Sequence, residues 1–283
     1  MGDCCVTPRS FGQEGEKRHR LKNARGIATN TKAQFIVGDN ADQNRGVKVF
    51  DRNEKFLKSF CLPTDDAYTT VSLYDVATDL LDNIYVLVRR MKPGTDNHVC
   101  MSVYVYDNNA DLHHKFLLRD RSRDWFCFAL TINYKQKVMV VANKVVDMHE
   151  ADGQLVRSFG QGILRDGWAI TSANEGRVMV LDRDDSYVHV FSEQGEHLFE
   201  VKVKGSYSPR AITFHQESEH FIVIGQEQGT DGKVRVLIYT KEGDFLRNIQ
   251  LEIDSPQSIA VTKEGRFAVV YRDWINQNKV IVV

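Results

Sequence analysis

A short motif returns six times along this chain of 283 residues, and no other feature constrains its fold as strongly. Each copy opens on a small apolar run closed by Thr or Val. The openings are Gly26-Ile27-Ala28-Thr29, Asp75-Val76-Ala77-Thr78, Phe128-Ala129-Leu130-Thr131, Trp168-Ala169-Ile170-Thr171, Arg210-Ala211-Ile212-Thr213 and Ser258-Ile259-Ala260-Val261. Taking Ile27, Val76, Ala129, Ala169, Ala211 and Ile259 as equivalent gives a period of about 40–50 residues. A turn and a β-branched or aromatic run follow each opening, as in Phe35-Ile36-Val37, Ile84-Tyr85-Val86 and Val178-Met179-Val180. Such runs are too short for helices, and their unbroken apolar character predicts burial on both faces. A third segment alternates with period two, as in Val47-Lys48-Val49-Phe50 and Val188-His189-Val190-Phe191. Gly- or Asn-bearing turns such as Glu150-Ala151-Asp152-Gly153 then lead to a fourth short strand. Four strands per repeat at this period, with no helical pattern, predict an all-β, six-bladed β-propeller with four antiparallel strands per blade, one domain over residues 1–283.

The sixth copy reaches Val283 inside its third strand. Its missing fourth strand has a counterpart at the other end of the chain: Val6-Thr7-Pro8-Arg9-Ser10-Phe11-Gly12-Gln13 matches Leu155-Val156-Arg157-Ser158-Phe159-Gly160-Gln161. The N-terminus is therefore expected to close the last blade. Pro8 is tolerated there because an outermost strand has a free edge.

Apolar residues make up 42% of the chain, yet no apolar stretch reaches about 18 residues, so no membrane span is expected. Met1–Arg20 is polar and charged, unlike a secretory signal. The five cysteines (Cys4, Cys5, Cys61, Cys100 and Cys127) are odd in number and show no framework spacing, which predicts a reducing, cytoplasmic setting. Cys4-Cys5 after Met1-Gly2 suggests lipidation, but the acylation pattern wants Ser or Thr at the sixth position, where Val6 stands.

The repeat resembles the NHL-repeat propeller that often forms the C-terminal part of tripartite-motif proteins. The likeness spans essentially the whole chain. The family's blade runs roughly Gly-Ile-Ala, Ile-Tyr-Val-Ala-Asp, Arg-Val-x-Val-Phe and Gly-x-Phe. Blade one matches best, through Gly26-Ile27-Ala28, Phe35-Ile36-Val37-Gly38-Asp39, Arg45 and Val47-Lys48-Val49-Phe50. Blade four matches through Val178-Met179-Val180-Leu181-Asp182 and Val188-His189-Val190-Phe191. The aspartate after the second strand is kept only as Asp39 and Asp182; Val88, Ala142, Gly225 and Tyr271 replace it elsewhere. The resemblance implies a protein-interaction platform that recruits a partner, such as a ubiquitination substrate, for a ligase module not found in this sequence. Some relatives bind single-stranded RNA instead.

Catalytic patterns are absent from the sequence: it holds no Gly-x-Ser-x-Gly elbow, phosphate loop or His-Glu-x-x-His. The nine histidines are scattered, and His113-His114 lies on an outer strand where adjacent side chains face opposite ways. Some six-bladed propellers are hydrolases or lyases with a metal in the axial channel. That chemistry needs acidic, Asn or His side chains converging from several first strands, and the openings here are mostly apolar. The sequence thus predicts a non-catalytic chain without metal or cofactor.

Function is then expected in the loops. Connections from strand four to the next strand one share a face with those from strand two to strand three. The inter-blade loops sum to a positive charge, whereas the strand three-to-four turns on the opposite face are acidic. The positive face carries Arg18, Arg20, Arg25, Arg89, Arg90, Arg121, Arg123, Trp125, Arg210, Arg272 and Trp274, the candidate binding residues. Arginine beside tryptophan is hot-spot chemistry for a protein partner and also suits single-stranded RNA. The net charge of −1 and isoelectric point near 6.8 favour the protein, since a dedicated RNA binder is usually strongly basic. Convergence of Arg18, Arg20, Arg25, Arg89, Arg90 and Arg210 into one patch would discriminate the two.

Overall fold

The computed structural model describes residues 9–12, 20–41, 45–63, 70–91, 99–118, 127–205, 207–227, 232–273 and 277–283. Among them are twenty-four strands in six four-stranded sheets and no helix. A strand at the N-terminus, β1 (Arg9–Phe11), precedes the first sheet, which holds β2 (Ala24–Thr29), β3 (Phe35–Asp39), β4 (Gly46–Phe50) and β5 (Phe56–Cys61). The second holds β6 (Thr70–Thr78), β7 (Ile84–Met91), β8 (Val99–Tyr106) and β9 (Leu112–Leu117). The third holds β10 (Cys127–Ile132), β11 (Val138–Ala142), β12 (Val145–His149) and β13 (Leu155–Phe159). The fourth holds β14 (Gly167–Ser172), β15 (Val178–Asp182), β16 (Tyr187–Phe191) and β17 (His197–Lys202). The fifth holds β18 (Tyr207–His215), β19 (His220–Glu227), β20 (Val234–Thr240) and β21 (Phe245–Leu251). The sixth holds β22 (Pro256–Val261), β23 (Phe267–Arg272) and β24 (Asn278–Val282), and it is completed by β1. This is the six-bladed, four-stranded propeller that the repeat predicts.

Closure follows the expected exchange. Arg9, Ser10 and Phe11 pair antiparallel with Val282, Ile281 and Val280. Phe11 then packs its ring 4.6 Å from Phe50 and 5.7 Å from Phe35 in the next blade. The kinship of Phe11-Gly12 with Phe159-Gly160 is physical. Both glycines hold positive φ, and a Cβ on either would fall under 3 Å from a leucine, Leu21 or Leu164. Val6, Thr7, Pro8 and Gln13 lie outside the described residues.

Six apolar clusters hold the ring, one in each gap between neighbouring sheets. Second strands such as β3, β11 and β15 are buried along their whole length because a sheet covers each of their faces, which explains their unbroken Val, Ile, Leu and Met character. Outermost strands show one wet face, as in the alternating exposure of β5.

Strand register corrects the repeat alignment. Ile27, Val76, Leu130, Ile170, Ile212 and Ile259 pair with Val37, Val86, Val140, Val180, Val223 and Val269 respectively. Three of the six equivalent positions therefore move one residue, from Ala129, Ala169 and Ala211 to the next residue. The Ala/Thr resemblance of the openings misled because both small types recur in adjacent columns, and a one-residue slip in a strand exchanges its faces.

The aspartates that survive after the second strand are structural. Asp39 is fully buried and accepts the backbone N–H of Asn23 at 2.8 Å and of Lys22 at 3.2 Å. The buried Lys48 ammonium pairs with it and also donates to the Arg20 carbonyl. Asp182 repeats the arrangement, accepting from the N–H of Arg165 at 2.6 Å and of Asp166 at 3.1 Å. Each carboxylate fixes the loop that leads into its own blade.

Candidate functional site

The first strands β2, β6, β10, β14, β18 and β22 wall an axial cavity of about 820 Å³. Each carries a β-bulge near the same end. The pairing register skips Arg25, Tyr74, Phe128, Trp168, Arg210 and Gln257 in blades one to six. A bulge leaves one residue unpaired and re-aims its side chain. Arg25, Tyr74, Trp168, Arg210 and Gln257 all line the cavity, at the end where the inter-blade loops enter. The result is a mouth ring of two guanidinium groups, a phenol, an indole and an amide.

One residue farther along, the column reads Gly26, Asp75, Ala129, Ala169, Ala211 and Ser258. Small residues suit a position where six strands converge, and Asp75 is the exception. Its carboxylate accepts the N–H of Val76 at 2.9 Å and, across the blade gap, the N–H of Leu130 at 3.0 Å. Gly26 makes room for it, since a Cβ there would come within 2.3 Å of Asp75 Oδ1. Burial pushes the Asp75 carboxyl up to about 7, against the opposing pull of those two N–H donors. Ser258 makes the corresponding tie to the N–H of Ile27 at 3.4 Å.

Deeper in the cavity a second belt runs the opposite way round the ring. Thr29 Oγ1 donates to the Val261 carbonyl at 2.8 Å, Thr78 Oγ1 to Thr29 at 2.8 Å and Ser172 Oγ to Ile132 at 3.2 Å. These bonds occupy carbonyls on the free inner edges of the first strands, which would otherwise be unpaired.

Of the residues expected on the binding face, Arg25 and Arg210 both line the mouth. Arg20, Arg89, Arg90 and Arg272 do not line it. Arg90 is buried, with its guanidinium 4.9 Å from the Tyr104 ring centroid, and Arg272 is half-buried with Nη2 donating to Asn23 Oδ1 at 3.4 Å. Arg18, Arg121, Arg123, Trp125 and Trp274 lie outside the described residues. Trp168 stands in the ring itself, clamped by the Arg183 guanidinium 3.9 Å from its ring centroid, which Asp166 holds at 2.7 Å. Tyr74, Gln257 and Asp75 were missed. In the corrected register Arg25, Tyr74, Trp168, Arg210 and Gln257 share one column, but the slipped alignment split them between two.

No family model and no curated protein matches the sequence. Solved structures share the fold. A streptogramin B lyase aligns with TM-score 0.63 at 12% identity, covering 98% of this chain and 97% of its own. A virginiamycin B lyase from Staphylococcus aureus aligns with TM-score 0.61 at 11% identity, covering 98% of each chain. A protein of unknown function from Bacteroides caccae aligns with TM-score 0.58 at 12% identity over 86% of this chain and 84% of its own. At these identities the likeness extends to the fold alone. It nevertheless corrects the expectation of a non-catalytic chain, because lyases are among the proteins built on this six-bladed frame. The NHL resemblance rests on its sequence motifs. No helix among the described residues is long and apolar enough to cross a membrane.

Proposed function

We propose that this protein is a binding platform that takes a compact, anionic and partly planar small molecule into the mouth of its axial channel. The observation that carries this reading is the ring of bulged residues. Five of six blades aim a polar or aromatic side chain into one cavity, whose volume of about 820 Å³ lies in the range of small-molecule sites. Arg25 and Arg210 supply fork-shaped donors for a carboxylate or phosphate. Tyr74 and Trp168 offer flat faces, with Trp168 immobilised by Arg183. Asp75, near neutrality in its titration, is placed to exchange a proton with whatever enters.

A second reading keeps the same ring and changes the ligand. A protein partner, as for the recruiting propellers of tripartite-motif ligases, would insert an acidic segment at the mouth, where Arg, Tyr and Trp form a hot-spot composition. Single-stranded RNA is disfavoured by the engagement of Arg90 and Arg272 within the fold.

The test is thermal-shift screening of the full chain against anionic small molecules, namely nucleotides, sugar phosphates and aromatic carboxylates. Single-stranded RNA and acidic peptides run as separate arms. A ligand at about 100 times its Kd stabilises by about 2.7 kcal/mol, a shift easily read. A small-molecule hit that is lost in the Arg25→Ala/Arg210→Ala double variant supports the proposal. Hits confined to the peptide or RNA arm overturn it in favour of that ligand.

A further inference from the structure

On the outer strands of blade four, away from the channel, three side chains converge. His189 on β16 and Glu200 on β17 face each other as a cross-strand pair. The register then shifts by one residue, so that His197 pairs with Phe191 and turns onto the same face. A bulge places there a third side chain that simple alternation would have sent to the other side.

We propose that His189, His197 and Glu200 form a zinc site. The spacing of the donor atoms carries the argument. His189 Nδ1 lies 3.4 Å from His197 Nε2 and 3.5 Å from Glu200 Oε2. In a tetrahedral site with bonds of about 2.0–2.1 Å, neighbouring ligand atoms stand about 3.3–3.4 Å apart. Two edges of a tetrahedral face, both from His189, thus have the length that zinc requires, and the third, between His197 and Glu200, lies within 4.8 Å and closes by rotation of these two exposed side chains. Two imidazoles and a carboxylate are a donor set that zinc favours.

The surroundings agree. His189 is only 3% exposed; its Nδ1 faces both other donors, while its Nε2, on the far side of the ring, has no hydrogen-bond partner among the described residues. Asp182 and Asp185 each bring a carboxylate oxygen within 4.8 Å of a His189 ring nitrogen, adding negative potential behind the site. Asp182 is already committed to backbone N–H groups, so it acts through the field and not as a ligand. His197 and Glu200 are exposed, which leaves an entry path and an outward fourth position for water. Bound zinc would clamp β16 to β17.

The experiment is calorimetric titration of the tag-free, chelator-treated full chain with zinc chloride, repeated on His197→Ala and Glu200→Gln. Both substitutions fall at exposed positions, and the second is isosteric. Circular dichroism melts confirm that each variant is folded. The proposal expects one zinc per chain, with affinity falling at least tenfold in each variant. Cobalt in place of zinc should give the intense visible absorption of a tetrahedral site. Absence of binding, or affinity retained within tenfold in either variant, overturns it. Zinc held undiminished by His197→Ala would place the ion on another donor set, either Asp182, Asp185 and His189 or the pair His113-His114, whose Nδ1 atoms lie 3.3 Å apart although strand alternation was expected to separate them.

Discussion

Replacing Asp75 by Asn removes one titrating group from the wall of the channel, and the consequence can be worked out in magnitude and sign. In the unfolded chain this carboxyl titrates near its ordinary value of 3.8, whereas in the fold it titrates at about 7. Between those two values the native state holds a proton that the unfolded state has released. Stability then falls as pH rises, by close to 1.4 kcal/mol per pH unit. The contribution is fully favourable below about pH 4 and is lost as pH climbs through about 7. Between pH 5 and pH 7 the wild type should lose roughly 2–3 kcal/mol from this group, a large fraction of the stability of an ordinary domain. Asn in its place carries no proton linkage. Its amide cannot accept both N–H groups that Asp75 accepts, so the variant is offset by a pH-independent cost of about 1–3 kcal/mol. The assay is urea unfolding of both proteins at half-unit steps from pH 5 to pH 8. The difference between the two curves must tilt by the stated amount. Parallel curves would refute the reasoning, because they would mean that the carboxyl is ionised in the fold throughout.

Three other outcomes follow from the same geometry. Deleting residues 1–12 removes the strand that pairs with β24; it should lower the melting temperature sharply and yield aggregates on size exclusion, and an unchanged melt would contradict the closure. Phe11→Ala, a milder form of that test, should cost about 3 kcal/mol in chemical denaturation, since it empties the space against Phe35 and Phe50. Gly26→Ala should displace the Asp75 carboxylate, costing roughly 1–3 kcal/mol at neutral pH, and should flatten the tilt described above; a variant with wild-type stability and tilt would show that the close approach is absent.

The fold was legible in the sequence because it is written six times. Each second strand is buried on both faces, so each copy must spell an unbroken apolar run, and the match of Val6–Gln13 to Leu155–Gln161 disclosed how the ring closes. The site was harder to read. Its residues sit where the regular pairing breaks, and a bulge is one residue that a periodic pattern does not announce. Arg25 and Arg210 were found through charge, but Tyr74 and Gln257 have no compositional signal and become recognisable only through register. Arg90 shows the converse failure. A basic residue in a loop-proximal segment reads as surface, yet here its guanidinium stacks on Tyr104 inside the blade. The triad on blade four escaped notice because alternation along β17 sends His197 and Glu200 to opposite faces unless the register slips.

Because each bulged residue is skipped by the ladder, it belongs to neither neighbour's pairing, and its side chain can change without moving a backbone hydrogen bond. The six skipped positions thus behave as an alphabet independent of the page on which it is printed. In this chain the word is Arg-Tyr-Phe-Trp-Arg-Gln, read round the ring from blade one. Rewriting it letter by letter would redirect what the channel admits while leaving every blade in place. The same frame could therefore diverge in specificity faster than in shape.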